Sequence, residues 1–550
     1  MHTQGGTFTM IQKILLVLIH CKDSLPLWIS PDNGDTFMPL YLYTLYPLPL
    51  YLYTLYPYPT PYTNSMHRSP ILPLLLTLLA AASHAQIVVS ENQKFLQTKD
   101  GKPFFWLGDT DWEMFHRLTR GEIESFINTR SEQGFNVLQA VALAEVNGVR
   151  EPNRYGDWPL NNEDPTQLLT TPGNDPDNAY EYDYWDHVDY AIQKAAEIGI
   201  YIGLLPTWGD KVAHQWGQGP IIFNEENAEV YGRLLATRYK DQWNIIWILG
   251  GDRRAVYKSS TAGTEKEYDD RPIWRAMARG IESVLGKEAF ITYHTSGGEY
   301  RTSDFVHEES WLDMNSFQSG HGSREADPWT WITEDLAMKP QKPTIDLEPC
   351  YEDHPVNPWD GKWTRARGYF DAYDVRARIY RGVFAGACGV TYGHHQIWQF
   401  LNKELYPPIN IGDTLIGWQK ASKAEGAWQM QHLKNLILSR PYFSRIADQS
   451  LIRSDAGETY LDYIAATRDE AGSYAMIYLP QNKPVRIALG NITGTTKKVW
   501  WFSPRDGKAT SAGTEKGKGT RSFTPPKEGK DWILVIDDAS KNFDAPGMVH

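Results

Sequence analysis

The stretch that decides the fold is Asn244-Ile245-Ile246-Trp247-Ile248-Leu249-Gly250-Gly251-Asp252-Arg253. An unbroken apolar run ending in two glycines and a carboxylate reads as a strand buried on both faces, as inside a parallel sheet. The glycines permit a sharp turn and leave open space above the strand end. Asp252 then stands at the carboxyl end, where parallel α/β folds assemble their chemistry. The same residue could instead cap the next helix or satisfy a turn. The rest of the chain has to decide between these.

Outward from this strand the same pattern recurs between Gln86 and about Arg440. Strands are predicted at Phe104–Asp109, Val137–Ala142, Tyr201–Leu205, Ile245–Leu249, Ala289–Tyr293, Leu312–Phe317, Pro343–Glu348 and Gly389–Tyr392. Thr119 and Glu122 form a capping box that opens a helix running to about Gln133. Further helices are expected at Tyr182–Glu197, Ala228–Tyr239, Ile273–Leu285, Trp331–Met338, Tyr373–Ala385 and Lys423–Leu436. A polar, Pro/Asn-rich insertion covers 145–180. Strands alternating with helices imply parallel βαβ units, and eight of them predict a (β/α)8 TIM barrel over 86–440. A doubly wound open sheet is the alternative, and the lack of a GxGxxG after the first strand weakens it.

Beyond Arg440 the period changes. Ser450–Ser454, Tyr460–Ala466, Tyr474–Leu479, Val485–Leu489, Lys497–Phe502, Ser522–Pro525 and Trp532–Ile536 are short β-like runs separated by turns such as Asp506-Gly507. They predict a small all-β sandwich domain over 441–550. Of Trp500-Trp501, one ring is expected in its core and the other at an interface.

The first 85 residues read differently. Residues 39–47 and 49–57 are the same string, PLYLYTLYP, with no charge and no amphipathic period. Met66 then opens MHRSPILPLLLTLLAAASHA, a short basic start, an apolar centre and a small-x-small end. That is a secretory signal peptide over 66–85, with cleavage expected after Ala85. Residues 1–65 are accordingly read as a disordered over-extension of the gene model. The mature chain is expected to be secreted or periplasmic, and no later run is long and apolar enough to span a membrane.

Composition narrows the function. Net charge is −13, which argues against non-specific binding of nucleic acid or anionic membranes. The chain holds 21 Trp and 31 Tyr, rings that either stack on sugars or fill a large core. The three cysteines, Cys21, Cys350 and Cys388, are too few for a disulfide scaffold. His307-Glu308-Glu309-Ser310-Trp311 has Trp where a zincin needs its second His, so a zinc protease is unsupported. No metal or cofactor is expected; the expected partner is an oligo- or polysaccharide.

In a barrel the residues that matter lie at strand carboxyl ends. Those positions hold Asp109, Asp111, Trp112, Trp208, Asp210, Asp252, Arg253, His294, Gln318, His321, Glu348, Tyr392, His394 and His395. Glycoside cleavage needs two carboxylates flanking the bond and aromatic surfaces for the ring. Asp252 and Glu348, on the fourth and seventh strands, face each other across such a mouth. Asp346 lies two residues before Glu348, so it shares that face one layer deeper and needs a buried partner. Arg253 and Arg254 are candidate partners for either acid. Glu352 is a rival for the role of Glu348. His294, His394 and His395 lack a third spaced metal ligand and fit substrate hydrogen bonding or loop packing better.

Phe105-Trp106-Leu107-Gly108-Asp109-Thr110, Gly134-Phe135-Asn136, Trp247–Asp252 and Asp346-Leu347-Glu348-Pro349-Cys350-Tyr351-Glu352 together resemble the apiosidase-like glycoside hydrolases of family 140. The resemblance extends over nearly all of the chain from Gln86. It implies a (β/α)8 domain followed by a β-sandwich, catalytic carboxylates at Asp252 and Glu348, and removal of apiose from pectic side chains. Asp252 would be the acid/base and Glu348 the nucleophile of a retaining exo-glycosidase. Asp109, Trp112, Trp208, Arg253, His294, Gln318, His321, Glu352, His394 and His395 would contact substrate. The C-terminal module of such proteins is labelled collagen-binding, which nothing in this sequence supports. The competing reading is a non-catalytic carbohydrate-binding protein on a barrel scaffold.

Overall fold

The computed structural model describes residues 86–261, 264–359, 365–409 and 416–549, with two short strands before them. The chain divides into Met1–Ala81 and Ala82–His550. In the first unit Trp28–Ile29 pairs antiparallel with Met38–Pro39. The rest of the Tyr/Pro repeat and segment 66–85 lie outside the described residues.

The second unit begins with a three-stranded antiparallel sheet, Ile87–Val89, Leu96–Thr98 and Pro103–Phe104, which the sequence reading did not anticipate. Eight parallel strands follow: β1 (Trp106–Thr110), β2 (Val137–Val141), β3 (Tyr201–Leu205), β4 (Ile245–Gly250), β5 (Ile291–His294), β6 (Asn315–Phe317), β7 (Thr344–Asp346) and β8 (Gly389–Tyr392). Six form one curled sheet in the order β5-β4-β3-β2-β1-β8, and β6 pairs with β7 separately. Contacts outside the ladders link the two groups at both edges. Thr292 of β5 bridges Met314 before β6, and the Cys388 N–H before β8 donates to the Thr344 carbonyl of β7 at 3.1 Å. Of the expected ring of eight, six strands thus form a curled sheet and two, of three residues each, a separate pair.

The helices follow their sequence signals. Helix α1 (Arg120–Glu132) is capped by Thr119, whose side chain accepts from the Glu122 N–H while the Glu122 carboxylate accepts from the Thr119 N–H. Four more lie between strands: α2 (Tyr184–Glu197), α3 (Glu225–Tyr239), α4 (Arg271–Leu285) and α5 (Pro328–Ala337). A hairpin, Val256–Thr261 with Thr264–Asp269, is inserted after β4 and was not foreseen.

Helix α6 (Ala372–Phe384) is buried along its whole length. It is covered by the C-terminal domain. Arg376 pairs with Asp531 at 2.8 Å, Tyr380 stacks on Tyr478 with centroids 5.2 Å apart, and Arg381 Nε donates to the Tyr463 carbonyl at 3.0 Å. Buried arginines of this kind persist only with such partners. A last helix, α7 (Glu425–Leu438), precedes that domain.

The C-terminal domain is a six-stranded antiparallel sheet, in the order Arg445–Ala447, Ala465–Asp469, Tyr474–Leu479, Trp532–Asp538, Thr496–Phe502, Ala509–Lys516, with a two-stranded sheet of Val485–Ala488 and Thr520–Phe523. Two expectations shift. Ser450–Ser454 is a 3-10 turn and single-bridge segment rather than a strand, and the strand expected at Tyr460 starts at Ala465. The turn at Thr459–Tyr463, where Asp462 Oδ1 accepts from the Thr459 N–H, takes up the earlier residues. Trp501 is buried in the core and Trp500 is half-buried. Cys350 and Cys388 are buried free thiols.

Candidate active site

The end of β4 has an unusual backbone. Gly250, Gly251 and Asp252 have φ of +93°, +89° and +55°, three left-handed residues in a row. A Cβ on Gly250 would lie 2.3 Å from the His294 carbonyl oxygen, and one on Gly251 would lie 2.7 Å from the Gly209 nitrogen. Only glycine fits either place. Aspartate tolerates the left-handed region better than most residues, yet the conformation still stores strain. It is held by the Asp252 N–H, which donates to His294 Nδ1 at 2.9 Å.

That bond has a chemical consequence. A ring nitrogen that accepts cannot carry a hydrogen, so the His294 proton sits on Nε2. Nε2 lies 3.1 Å from Glu348 Oε2. The Tyr351 N–H likewise donates to His321 Nδ1 at 3.2 Å, leaving His321 Nε2–H to face Glu348 Oε1 at 3.3 Å. The Tyr351 hydroxyl donates to the same Oε1 at 2.6 Å and accepts from Trp112 Nε1 at 3.0 Å. Two hydrogen bonds to Oε1 and the close approach of His294 Nε2 to Oε2 therefore converge on a buried carboxylate two residues past β7.

The two acids are pushed apart. Burial alone would raise Glu348, but the hydrogen bonds from His294 and His321 outweigh it and hold the carboxyl at about 2. Burial raises Asp252; the Arg253 guanidinium pulls it back and the Glu348 charge pushes it up again, leaving it above the ordinary carboxylate value. One acid is kept ionised and its neighbour is biased toward holding a proton.

Asp252 and Glu348 both line a cavity of about 1120 Å³ at the carboxyl ends of the strands. Of the expected contact residues, Trp112, Trp208, Gln318, His321 and His395 also line it. His294 sits behind, touching both acids, with its ring 5.4 Å from that of Trp112 and 5.9 Å from that of Trp208. Arg253 supports Asp252, with Nη1 3.0 Å from Oδ2. Trp208 Nε1 and Gln318 Oε1 are buried polar atoms with no protein partner, among the described residues, at this wall.

Three expected contact residues lie elsewhere. Asp109 is fully buried and pairs with Arg130 of α1, so it does not line the cavity. Glu352 accepts from the Tyr392 hydroxyl at 2.6 Å and from the Gly426 N–H in the first turn of α7 at 3.0 Å, which ties that helix to the sheet. Burial raises it to about 7. His394 is bridged to Glu352, and its Nδ1 accepts from the Gln396 N–H at 3.2 Å. Asp346 occupies the deeper layer, where its Oδ1 accepts from the Ser319 N–H at 3.2 Å and burial raises it to about 6.

The cavity also gathers residues that strand-end reasoning passed over: Tyr351, Glu145, Trp216, Trp359 and Trp398. Burial raises Glu145 to about 8, with Arg253 opposing and Asp252 adding to the rise. Tyr351 stood within the quoted motif, and its spacing of three from Glu348 was the available signal. Among the described residues no group of three or more His, Cys, Asp or Glu is placed to hold a metal ion, and no helix is long and apolar enough to cross a membrane.

The chain is similar to known families and solved structures. The family model described as the apiosidase-like catalytic domain matches residues 90–444. A second, described as "putative collagen-binding domain of a collagenase", matches residues 446–537. A solved structure named simply as a glycoside hydrolase is 33% identical, with a TM-score of 0.73, covering 84% of this chain and 99% of its own. A glycoside hydrolase family 5 structure from Bacteroides vulgatus ATCC 8482 is 34% identical with the same TM-score, covering 84% of this chain and 96% of its own. No curated protein matches the chain.

Proposed function

The chain belongs to the apiosidase-like glycoside hydrolases, and from that premise we propose that it removes terminal apiose from side chains of a plant cell-wall pectic polysaccharide. The observation that carries this reading is the split between two carboxyls on one cavity, Glu348 held ionised beside His294 and His321 and Asp252 raised by burial next to it. A binding protein has no use for such a split; a glycosidase needs it.

In this reading Glu348 Oε2, which faces one donor where Oε1 faces two, attacks the anomeric carbon. The glycosidic C–O bond breaks as Asp252 delivers its proton to the leaving oxygen. Asp252, now ionised, takes a proton from water, and the resulting hydroxide attacks the anomeric carbon to free the sugar and regenerate Glu348. The configuration is retained. Trp112, Trp208, Gln318, His321 and His395 contact the sugar, and His294 orients both acids. We read the curled sheet and strand pair as one (β/α)8 domain over 86–440, the C-terminal sheets as a sandwich over 441–550, and 66–85 as a cleaved export signal.

The test is sugar release from a panel of pectic fractions that includes an apiose-bearing one. Wild type is expected to release apiose with first-formed product of unchanged anomeric configuration by proton NMR. Asp252→Asn and Glu348→Gln are expected to lose about 10³-fold or more in kcat with unchanged circular dichroism. Near-normal turnover in either variant would falsify the assignment.

A further inference from the structure

We infer that Trp216 is the platform for the sugar residue on the leaving side of the bond, and that its indole N–H fixes which oxygen of Asp252 carries the proton. This rests on Asp252 being the acid.

The first half comes from exposure and support. Trp216 lines the cavity, yet it is 48% exposed, whereas Trp112 and Trp208 beside it are buried. An exposed tryptophan on a loop is ordinarily free to move, but this one is held from several sides. Its carbonyl accepts from Arg253 Nε at 2.9 Å. The Arg253 guanidinium carbon lies 4.3 Å from its ring centroid and covers one face. The next two peptides are tied down, since the Gln218 and Gly219 N–H groups donate to Asp210 Oδ2 at 3.0 and 2.9 Å. Asp210 is in turn paired with Lys211 at 2.8 Å. The result is a held indole with one face covered by a cation, its N–H edge on Asp252 and about half of the residue's surface exposed at the cavity. Such a surface suits the C–H face of a pyranose or furanose ring.

The second half comes from the hydrogen bonds of Asp252. Oδ2 accepts from Arg253 Nη1 at 3.0 Å and from Trp216 Nε1 at 3.3 Å. Oδ1 has no partner among the described residues. An oxygen already taking two N–H donors is a poor place for a proton, so the neutral acid carries it on Oδ1. The acid hands that proton to the leaving oxygen. The sugar attached to that oxygen therefore departs on the side of Asp252, next to the open indole of Trp216 that touches this carboxyl.

Two substrates separate this from a structural role: an apiose-bearing pectic oligosaccharide, and apiosyl fluoride, whose leaving group has no ring to stack and needs little protonation. Trp216→Ala is expected to lower kcat/KM on the oligosaccharide by about 10–100-fold and on the fluoride by about threefold. Trp216→Phe keeps a ring but no donor. It is expected to recover most of the KM and to move the alkaline limb of the pH profile upward, because a donor to the ionised form of Asp252 is gone. Equal losses on both substrates, or none on either, overturn the platform. An unmoved alkaline limb in Trp216→Phe overturns the proton placement. Wild-type inactivity on the oligosaccharide overturns the apiosidase reading and this inference together. An active wild type with an indifferent Trp216→Ala overturns this inference alone.

Discussion

Replacing Tyr351 with Phe removes one hydroxyl from the middle of the site. That hydroxyl makes the shortest of the three contacts to Glu348, 2.6 Å to Oε1. A hydrogen bond to a charged group contributes about 1.5–3 kcal/mol, and about 1.4 kcal/mol corresponds to one unit of pKa. Losing it should therefore raise Glu348 by about 1–2 units, from about 2. Burial, which opposes ionisation, then has only the two histidines against it. The nucleophile must be ionised, so activity is lost as pH falls through the Glu348 pKa in the folded enzyme. The wild-type acid limb should thus lie near pH 2, and that of Tyr351→Phe about 1–2 units higher, inside a window that can be assayed. The same depressed pKa contributes stability that is present above the ordinary value of 4.5 and lost between there and about 2. In the variant that window narrows from below. Removing the hydroxyl also leaves Trp112 Nε1 without its acceptor, a buried donor whose loss costs about 1–3 kcal/mol. The assay is initial-rate sugar release from pH 3 to 8, with thermal melts at each pH so that unfolding is not read as titration. A variant profile that superimposes on wild type after normalisation would refute the claim that Glu348 is the ionised partner held by Tyr351.

Gly251→Ala should lower Tm and cut kcat by about 100-fold or more, because a φ of +89° and a Cβ 2.7 Å from the Gly209 nitrogen displace Asp252; a melt and a rate within error of wild type would contradict the strand-end geometry. Asp109→Ala should destabilise by about 3–5 kcal/mol in urea melts by leaving Arg130 buried and unpaired. Its kcat/KM per folded molecule should stay near wild type, and a large kinetic loss at unchanged stability would return Asp109 to the substrate. Asp531→Ala strips the carboxylate from both Arg376 and Arg505 and should cost about 3–5 kcal/mol. Calorimetry of the wild-type enzyme should give one transition covering both the parallel and the antiparallel sheets, whereas two separated transitions would mean that the buried contacts along α6 do not couple them.

Much of the site was legible because parallel strands announce their ends. The Ile245–Leu249 run, its two glycines and Asp252 are local features, and local features survive the lack of tertiary knowledge. The placement of Asp109, Glu352 and His394 shows where that rule stops. A strand end has two sides, and alternation sends neighbours to opposite ones. Asp109 stands opposite Tyr392 in the ladder between β1 and β8. The Arg130 guanidinium lies 5.8 Å from the Tyr392 ring and bonds to Asp109. The Tyr392 hydroxyl then holds Glu352, and Glu352 bridges His394. All of them belong to one cluster packed against α1 and α7, on the helix side of the sheet. Counting positions to a strand end cannot reveal this, because the deciding partner, Arg130, comes from a helix 21 residues away.

The residues that were missed have the complementary cause. Trp216 lies in a stretch without periodicity, and its place beside Asp252 depends on Asp210, Arg253 and two backbone N–H groups that no local pattern links. Tyr351 follows Glu348 by three residues, but only the folded turn brings its hydroxyl back to Oε1. In both cases a strand end places the acid, while one of the donors to its carboxyl comes from a loop. The division has a physical basis. A carboxylate can be placed by a strand, whereas tuning it requires donors converging from several directions. Asp252 takes donors from Arg253 beside it and from the distant Trp216, Glu348 from Tyr351 three residues on and from the distant His321, and His294 joins the two sets through one ring, Nδ1 to the first acid's backbone and Nε2 to the second acid's side chain. A displacement of β5 would therefore disturb both acids at once, so the pair should behave as one coupled unit rather than as two independent carboxyls.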